Sequence, residues 1–411
     1  MIIKEVPYEY NPFYSGKRIF QQDFYDRKLL DTAKTRLVHA NFGQKRSLPR
    51  HSGKRVEFRR YELFTPDTQA LTLQEGVTPT GQSLTQSKVE AEVSQYGAYV
   101  EVSDLLDLTG YDAVIADSAE LLGEQLGTVM EWVTRDAMCA TTSVQYAGGK
   151  SGRNALTGTD KLTVEEVRKA VRTLKKNKAR PFYTGGDGGA RKPHFVCICS
   201  PDATYDLQSD ALWQDVSKYS NAEQIYSGEI GRLFGVVFVE STEAKVYEQS
   251  VRNAVNAATT SSVSFVLKHE PTAQEMAYLS RGGGDIWVSG TKYTLAASGS
   301  FDRATRTVKL SAAASLSADA AVYTQDAGAA DSANGYAAPA VHATLVFGAD
   351  AYGVIDVDGA GAMETIIKPQ GSAGSTDPLN QRGTVGAKVA AYTAKVLNPL
   401  WLIKIEHCDS A

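Results

Sequence analysis

Residues 65–87 carry too few apolar side chains to form a core, although strand-like segments lie on both sides of them. The stretch is dominated by Thr, Gln, Gly and Pro, and its sizeable aliphatic residues are Leu71, Leu73, Val77 and Leu84. The flanking segments, 54–64 and 88–102, show partial alternation of apolar and polar residues, as half-buried strands do. A long two-stranded excursion is marginal in water, so we expect this one to lie on another surface, most simply a neighbouring subunit.

The two legs of this expected hairpin carry opposite charges. Arg55, Arg59 and Arg60 lie on the outgoing leg, and Glu90 and Glu92 lie on the returning leg. Cross-strand pairs of opposite charge contribute about 0.2–1 kcal/mol each. Electrostatics therefore favours pairing of these two legs.

Residues 111–140 give the clearest helical pattern in the chain. Apolar residues recur at spacings of three and four and form one stripe: Ile115, Ala119, Leu122, Leu126, Val129, Val133 and Ala137. A helix of this length would span about 45 Å, enough for a structural spine. Acidic residues occur along this helix from Asp112 to Glu131. They favour the helix dipole and complement a basic partner, although an ordinary solvated face explains them equally well.

The first sixty residues are basic, in contrast to the chain as a whole, which has a formal net charge of -4. We expect an N-terminal arm whose cations Arg27, Lys28, Lys34 and Arg36 line an interior surface. Such an arm is either simply solvated or contacts an acidic neighbour or packaged phosphate. The net charge argues against a dedicated nucleic-acid binder.

A mixed α/β region follows a glycine-rich turn. We predict a helix over 163–178, in which Thr163 caps the start and Glu166 completes a capping box. A strand over 194–199, a helix opened by Ser200 and Pro201, and a strand over 233–240 complete the region.

The composition changes near residue 244 and stays rich in Ala, Ser, Thr and Gly to about residue 340. Strand-like runs over 264–268, 285–295, 303–310 and 320–324 predict an inserted small β domain. A flexible linker is the alternative, but the aromatic residues of the segment disfavour it.

The last segment returns to the earlier pattern. We predict a strand over 344–347, a hairpin that turns at Asp358 and Gly359, and terminal strands over 386–397 and 400–407. Asn398 and Pro399 would form the turn between the terminal strands. The apolar C-terminus should complete the main domain.

Signatures of catalysis and metal binding are weak throughout the sequence. The glycine clusters 185–189 and 281–285 lack a phosphate-binding context, so both predict turns. Asp356 and Asp358 lack the rest of a calcium loop. The six histidines are scattered singly. We therefore predict no catalytic, metal-binding or cofactor-binding residues.

Cellular location is indicated by the cysteines and by the lack of targeting signals. Cys139, Cys197, Cys199 and Cys408 lack metal-finger spacing and predict buried thiols in a reducing compartment. The chain has no signal peptide and no apolar run of about 20 residues. We expect synthesis in a cytoplasm.

Residues 71–107 contain EGVTP, then YG, then SDLLD, and this pattern resembles the extended loop of tailed-phage major capsid proteins. The resemblance covers roughly residues 24–240 and 342–407. It implies an α+β fold, the tailed-phage major capsid fold. Its implied parts are an N-terminal arm (1–46), an extended β-hairpin loop (47–104), a peripheral domain with a long spine helix (105–182), an axial α/β domain (183–244), an inserted β-rich domain (245–340) and returning C-terminal strands (341–411).

The resemblance also implies a function, namely self-assembly of hexamers and pentamers into an icosahedral shell around double-stranded DNA. The expected subunit interface comprises Arg55, Arg59, Arg60, Glu75, Gly76, Val77, Pro79, Glu90 and Glu92. The hairpin begins only about fifty residues from Met1, which suggests that a separate scaffolding protein is a partner. A portal, and possibly a decoration protein, are further implied partners, with sequence-independent contact to packaged DNA and none to membranes.

Two other functions remain open at this point. One is a phage fibre or adhesin that uses the β-rich insert as its binding module. The other is a hydrolase built on the α/β region. Hexameric or shell-like assembly would distinguish the capsid protein from a trimeric fibre, and a catalytic triad would favour the hydrolase.

Overall fold

A computed structural model of the chain describes residues 37–46, 54–61, 86–104, 114–184, 192–217, 229–248, 251–324, 338–355, 363–369 and 381–409, with single positions elsewhere. The helices are α1 Val114–Cys139, α2 Val164–Lys176, α3 Pro201–Ser209, α4 Ala211–Ser217 and α5 Ala273–Leu279. The strands of the first half are β1 Gln44–Arg46, β2 Arg55–Tyr61, β3 Gln86–Glu92, β4 Ser94–Ser103, β5 Val144–Tyr146, β6 Phe182–Thr184, β7 Lys192–Cys199, β8 Glu229–Leu233, β9 Val236–Glu240 and β10 Val246–Tyr247. Those of the second half are β11 Arg252–Ala254, β12 Thr259–Val266, β13 Asp285–Val288, β14 Thr291–Thr294, β15 Phe301–Asp302, β16 Thr307–Leu316, β17 Ala321–Tyr323, β18 Val341–Phe347, β19 Tyr352–Ile355, β20 Met363–Lys368, β21 Arg382–Tyr392, β22 Ala394–Val396 and β23 Leu402–Cys408.

The chain divides into two compact units, one of Met1–Ala137 with Tyr352–Leu397 and the other of Met138–Ala351 with Asn398–Ala411. In the first unit, α1 packs on the sheet β20-β21-β4. The core here joins Ala119, Leu122, Leu126 and Met130 of α1 to Val385, Ala387, Val389 and Tyr392 of β21. The predicted helix is confirmed over Val114–Cys139, and its stripe includes Met130, which we had not assigned to it.

The predicted acidic face of α1 is wrong at one position. Asp117 and Glu120 are exposed, but the Glu131 side chain is fully buried. Glu131 lies on the core side of the helix because it accepts hydrogen bonds from His39, as described below. Asp112 lies outside the described residues.

The expected hairpin is present as β2 paired antiparallel with β3. Its second leg is shorter than predicted, because the run 88–102 breaks at Val93 into two strands. The second of them, β4, leaves the hairpin and pairs with β21 over most of its length. Period-two alternation continues through the break, so the sequence pattern could not reveal the change of partner.

In the second unit, an eight-stranded mixed sheet has the order β5-β23-β18-β7-β9-β8, with β6 and β10 on its margins. Strands β18 and β23 are buried along their whole length. The C-terminal strand lies between β18 and β5, so the prediction that it completes the main domain is confirmed. Cys197 and Cys199 point into the core under α2 and α3, and all four thiols are buried.

Residues 251–323 of the second unit form two further sheets, β11-β17-β13-β14 and β12-β16-β15, which enclose an apolar core of their own. The run 285–295 is two strands joined by a tight turn with positive φ at Ser289 and Gly290. Helix α5 was not predicted. Its start nevertheless carries a full capping box, formed by Thr272 and Glu275.

Two local predictions, the hairpin turn at Asp358 and Gly359 and the capping box of α2, are corrected by the strand pairing and capping contacts, and the predicted turn at Asn398 and Pro399 is confirmed. Strands β19 and β20, on either side of Asp358 and Gly359, do not pair with each other; β19 pairs with β1 and β22, and β20 with β21. Asn398 caps a short 3-10 helix, Pro399–Trp401, and the strands that flank it lie in different sheets. Thr163 caps α2 as predicted, but the Glu166 carboxylate accepts from Gln145 and Lys169 instead of closing a capping box.

Candidate functional site

One face of the base of the hairpin is apolar and packs against β19 within the first unit. Val56, Phe58 and Ala91 are buried together with Ile355 of β19. The Phe58 ring lies directly against the backbone of Gly353, where an added Cβ would come within 2.3 Å of Cε1 of the ring. Only glycine at position 353 leaves room for this ring, so the base of the hairpin is closely packed against β19.

The opposite face of the hairpin is a ladder of exposed charges. Lys88 is its centre, with Nζ at 2.9 Å from Glu90 Oε1 and 3.7 Å from Glu57 Oε1. Arg55 reaches Glu90 at 3.5 Å, as the sequence suggested. Arg59 does not reach across to Glu90, because it lies opposite Lys88 and pairs with Glu57 on its own strand at 3.3 Å.

Two pKa shifts follow from this ladder. Hydrogen bonding to Glu90, together with its charge, raises the pKa of Lys88 above its ordinary value. The same contact lowers the pKa of Glu90. Both groups are therefore charged at neutral pH, and this face of the hairpin keeps its charge pattern there.

The remaining predicted interface residues are only partly described. Glu92 is exposed and faces Arg55 in the strand register. Arg60 pairs with Ser87 through the backbone, and its side chain lies outside the described residues, as do Val77 and Pro79. Glu75 and Gly76 form an exposed turn in which Gly76 has a φ of 77°.

The tip of the hairpin exposes large apolar side chains. Leu73 is 72% exposed, Leu84 59% and Phe64 54%. Each of these side chains would lose contact with water if the tip lay on another protein surface, with a gain of about 25 cal/mol per Å² buried. The tip is therefore the best-supported candidate for a docking element.

The end of the N-terminal arm is fixed to α1 by a buried polar contact. His39 donates its backbone N–H to Glu131 Oε1 at 2.8 Å, and His39 Nδ1 lies 2.5 Å from the same oxygen. Tyr352 donates its hydroxyl to the His39 carbonyl. Leu37 and Ala40 pack beside them in the α1 core. The predicted arm cations, Arg27, Lys28, Lys34 and Arg36, all lie outside the described residues.

A second polar cluster, in the second unit, brings together two histidines that the sequence left scattered. His342 and His407 face each other across β18 and β23. Their Nδ1 atoms lie 3.0 and 2.7 Å from the two carboxylate oxygens of Asp409. Burial alone would raise the pKa of Asp409, but the adjacent imidazole rings of His342 and His407 hold that pKa well below its ordinary value. Only the strand pairing reveals this cluster, so the sequence carried no signal for it.

Ser200 completes a serine, histidine and aspartate set, but the geometry is not that of a catalytic triad. A triad places the hydroxyl on one ring nitrogen and the carboxylate on the other. Here Ser200 Oγ, at 3.1 Å, and Asp409 both approach Nδ1 of His342. Ser200 is also buried, and its Oγ accepts the Ala203 N–H as the cap of α3. The hydrolase interpretation therefore gains nothing from this cluster.

The same cluster offers a third carboxylate, Asp202, whose ligand atom lies within 4.8 Å of those of His342 and Asp409. Two observations disfavour a cation there. Nδ1 of His342 is already shared by Asp409 and Ser200, and the amino end of α3 carries the positive end of the helix dipole. The cluster is best explained as a buried polar contact that fixes Asp409 beside β18 and β23.

Comparison with known proteins adds independent findings. A family model described as phage capsid protein matches residues 134–368, more than half of the chain. The major capsid protein of Escherichia phage T5 is 39% identical over 56 residues, a match that spans 14% of this chain and only 12% of that protein. Among the described residues, no helix is long and apolar enough to cross a membrane.

Solved phage capsids share the fold at low sequence identity. The capsid of Ralstonia phage GP4 has a TM-score of 0.54 at 12% identity, over 92% of this chain and 91% of that one. The capsid of cyanophage Pam1 also has a TM-score of 0.54, at 11% identity, over 100% and 97% of the two chains. Together with the family match, this shared architecture shows that the chain belongs to the phage capsid protein family, a family of structural proteins.

Proposed function

We propose that this chain is the shell-forming subunit of a tailed phage, assembling through hexamers and pentamers into an icosahedral capsid around double-stranded DNA. The observation that carries the proposal is the family match over residues 134–368. The exposed hairpin tip and the shared capsid fold support it. The family match also favours the shell over the fibre or adhesin alternative.

The hairpin tip is the element we assign to subunit contact. Its base is held in its own subunit by Phe58 and Ile355, while Leu73 and Leu84 are left exposed at the tip. A tip docked on a neighbouring subunit would bury these side chains without disturbing the base. The charged face around Lys88 would then set the orientation of the contact.

The test removes the tip and measures assembly. Replacing residues 65–84 with a short Gly-Ser link should leave a folded monomer that forms no shells by electron microscopy. The double variant Leu73→Ser/Leu84→Ser should weaken assembly in the same direction. Leu212→Ser is the matched control, because Leu212 is 45% exposed on α4. Shells of normal size and yield from the tip variants would refute the assignment.

The basic arm is proposed to line the interior and to contact the acidic surface of adjacent subunits, with packaged DNA as a sequence-independent second contact. His39 supports this role because it fixes the end of the arm to α1. Exposed pairs contribute about 0–1 kcal/mol each and are screened over about 8 Å at physiological salt. Neutralising Arg27, Lys28, Lys34 and Arg36 together should therefore weaken assembly far more than any single change.

Residues 251–323 are proposed to be a separately folded module on the outside of the shell, within the insert predicted over 245–340. Their private apolar core supports the proposal. Because β10 pairs with β18, a short link from residue 248 to residue 340 should spare the main sheet. Loss of soluble, assembling protein on this replacement would contradict the proposal. We also propose a scaffolding protein, a portal and a decoration protein as partners.

A further inference from the structure

Helix α2 presents a cationic groove on its exposed face. Arg168, Arg172, Lys175 and Lys176 line it, together with Val171 and Phe234. The groove has a volume of about 550 Å³. The other face of α2 is buried in the core of the second unit through residues such as Val167, Ala170 and Leu174. The groove is therefore held on a rigid element.

The four cations have no acidic partners among the described residues. The two carboxylates of the helix are engaged elsewhere, since Glu165 and Glu166 lie 3.6 and 2.9 Å from Nζ of Lys169. Four neighbouring positive charges repel one another at close range. An acidic surface laid across the groove would relieve this repulsion.

The floor of the groove is apolar. Phe234 is 48% exposed and has a positive φ of 51°, a conformation that is strained for a bulky residue. Its ring lies 4.9 Å from the guanidinium carbon of Arg168. Val171 lies beside it. A ligand that combined carboxylates with one apolar side chain would match both the rim and the floor of this groove.

The exposed face of α1 has this composition. Asp117 and Glu120 are exposed, Glu124 is half-buried, and between them Leu121 is 66% exposed. Asp117 and Glu124 lie seven positions apart, as do Arg168 and Lys175, which corresponds to about 10 Å of helix in each case.

We propose that the α2 groove of one subunit binds the exposed acidic face of α1 in a second copy of this chain, with Leu121 placed against Val171 and Phe234. The inference rests on the proposed assembly of the chain and names a second contact within it. Because the two surfaces differ, the contact is head-to-tail, and head-to-tail contacts close into rings when the rotation permits. The acidic face thus gains a cationic partner distinct from the N-terminal arm.

Reciprocal charge reversal tests the contact in the full-length chain. Arg172→Glu/Lys175→Glu and Asp117→Lys/Glu120→Lys should each raise the concentration needed for assembly by about ten-fold or more at low salt. The variant that combines all four changes should recover to within about three-fold of wild type, because the attraction is restored with reversed sign. Leu121→Ser should also weaken assembly.

Arg303→Glu/Lys309→Glu is the matched control, since it makes the same charge change at two exposed positions of residues 251–323. If a reversal disturbs folding, Arg172→Gln/Lys175→Gln replaces it and should show a smaller loss in the same direction. A combined variant as defective as its parents, or reversals no worse than the control, would overturn the inference. So would a groove reversal that reduces duplex DNA binding but leaves assembly unchanged. Failure of the wild-type chain to form shells would instead reject the proposed function.

Discussion

Gly353→Ala should weaken the packing of the hairpin base against β19. The new methyl carbon would lie 2.3 Å from Cε1 and 2.7 Å from Cζ of the Phe58 ring, well inside van der Waals contact. Phe58 is only 2% exposed, so its ring cannot turn out into solvent without leaving the packed base of the hairpin. Overpacking of this kind costs about 1–3 kcal/mol. At an ordinary strand position, replacing Gly with Ala would instead stabilise the protein by about 0.4–1 kcal/mol.

Hydrogen exchange of the β2 and β3 amides measures this change locally. A loss of about 2 kcal/mol corresponds to about 30-fold faster exchange if the hairpin opens independently of the rest of the unit. Phe58→Leu removes Cε1 and Cζ, the two closest colliding ring atoms, so Gly353→Ala/Phe58→Leu should lose less stability than the sum of the two single changes. Unchanged or slower exchange in Gly353→Ala, or strict additivity in the double variant, would refute the proposed packing.

Three further predictions concern the second unit. Asp409→Asn should lower the free energy of unfolding by about 2 kcal/mol at neutral pH. Because folding lowers the pKa of Asp409, this contribution is complete above about pH 4 and is lost as the pH falls. The stabilities of wild type and variant, measured by urea titration, should therefore converge in acid, and a constant difference across the pH range would contradict this. Glu406→Ala should lower the free energy of unfolding by about 3–5 kcal/mol in the same titration, because it leaves Arg153 and the buried Lys404 without their shared carboxylate. A loss below about 1 kcal/mol would contradict this. The four thiols should resist a thiol reagent in the native protein and react with it after unfolding. All four are buried, and burial raises the pKa of Cys408 to about 12. Rapid labelling of Cys197 or Cys199 in the native protein would contradict their placement.

Local chemistry in the sequence was enough to predict individual elements. The apolar stripe of α1, the Thr163 cap, and Ser200 followed by Pro201 each correspond to contacts in the structure. Cys197 and Cys199 are buried, as the sequence predicted, and they lie in a part of β7 that is buried without a break. In these cases neighbouring residues determine the outcome, so the sequence carries the information directly.

Long-range pairing could not be predicted from the sequence. Strand β4 continues the alternation of β3 but pairs with β21, nearly three hundred residues away. Glu131 was grouped with the other acidic residues of α1, with a basic partner and a solvated face both left open, because nothing nearby in the sequence identifies His39 as its partner. The Asp409 cluster depends on the register of β18 with β23. Each error arises where a residue's environment is set by a distant strand or segment.

A reconstruction of assembled shells by electron cryomicroscopy tests the central claim most directly. The purified chain, expressed with its candidate scaffolding protein, should give closed shells built from hexamers and pentamers. The hairpin tip of each subunit, including Leu73 and Leu84, should lie on a neighbouring subunit. Shells in which the tip contacts only its own subunit, or elongated trimers in place of shells, would contradict the account.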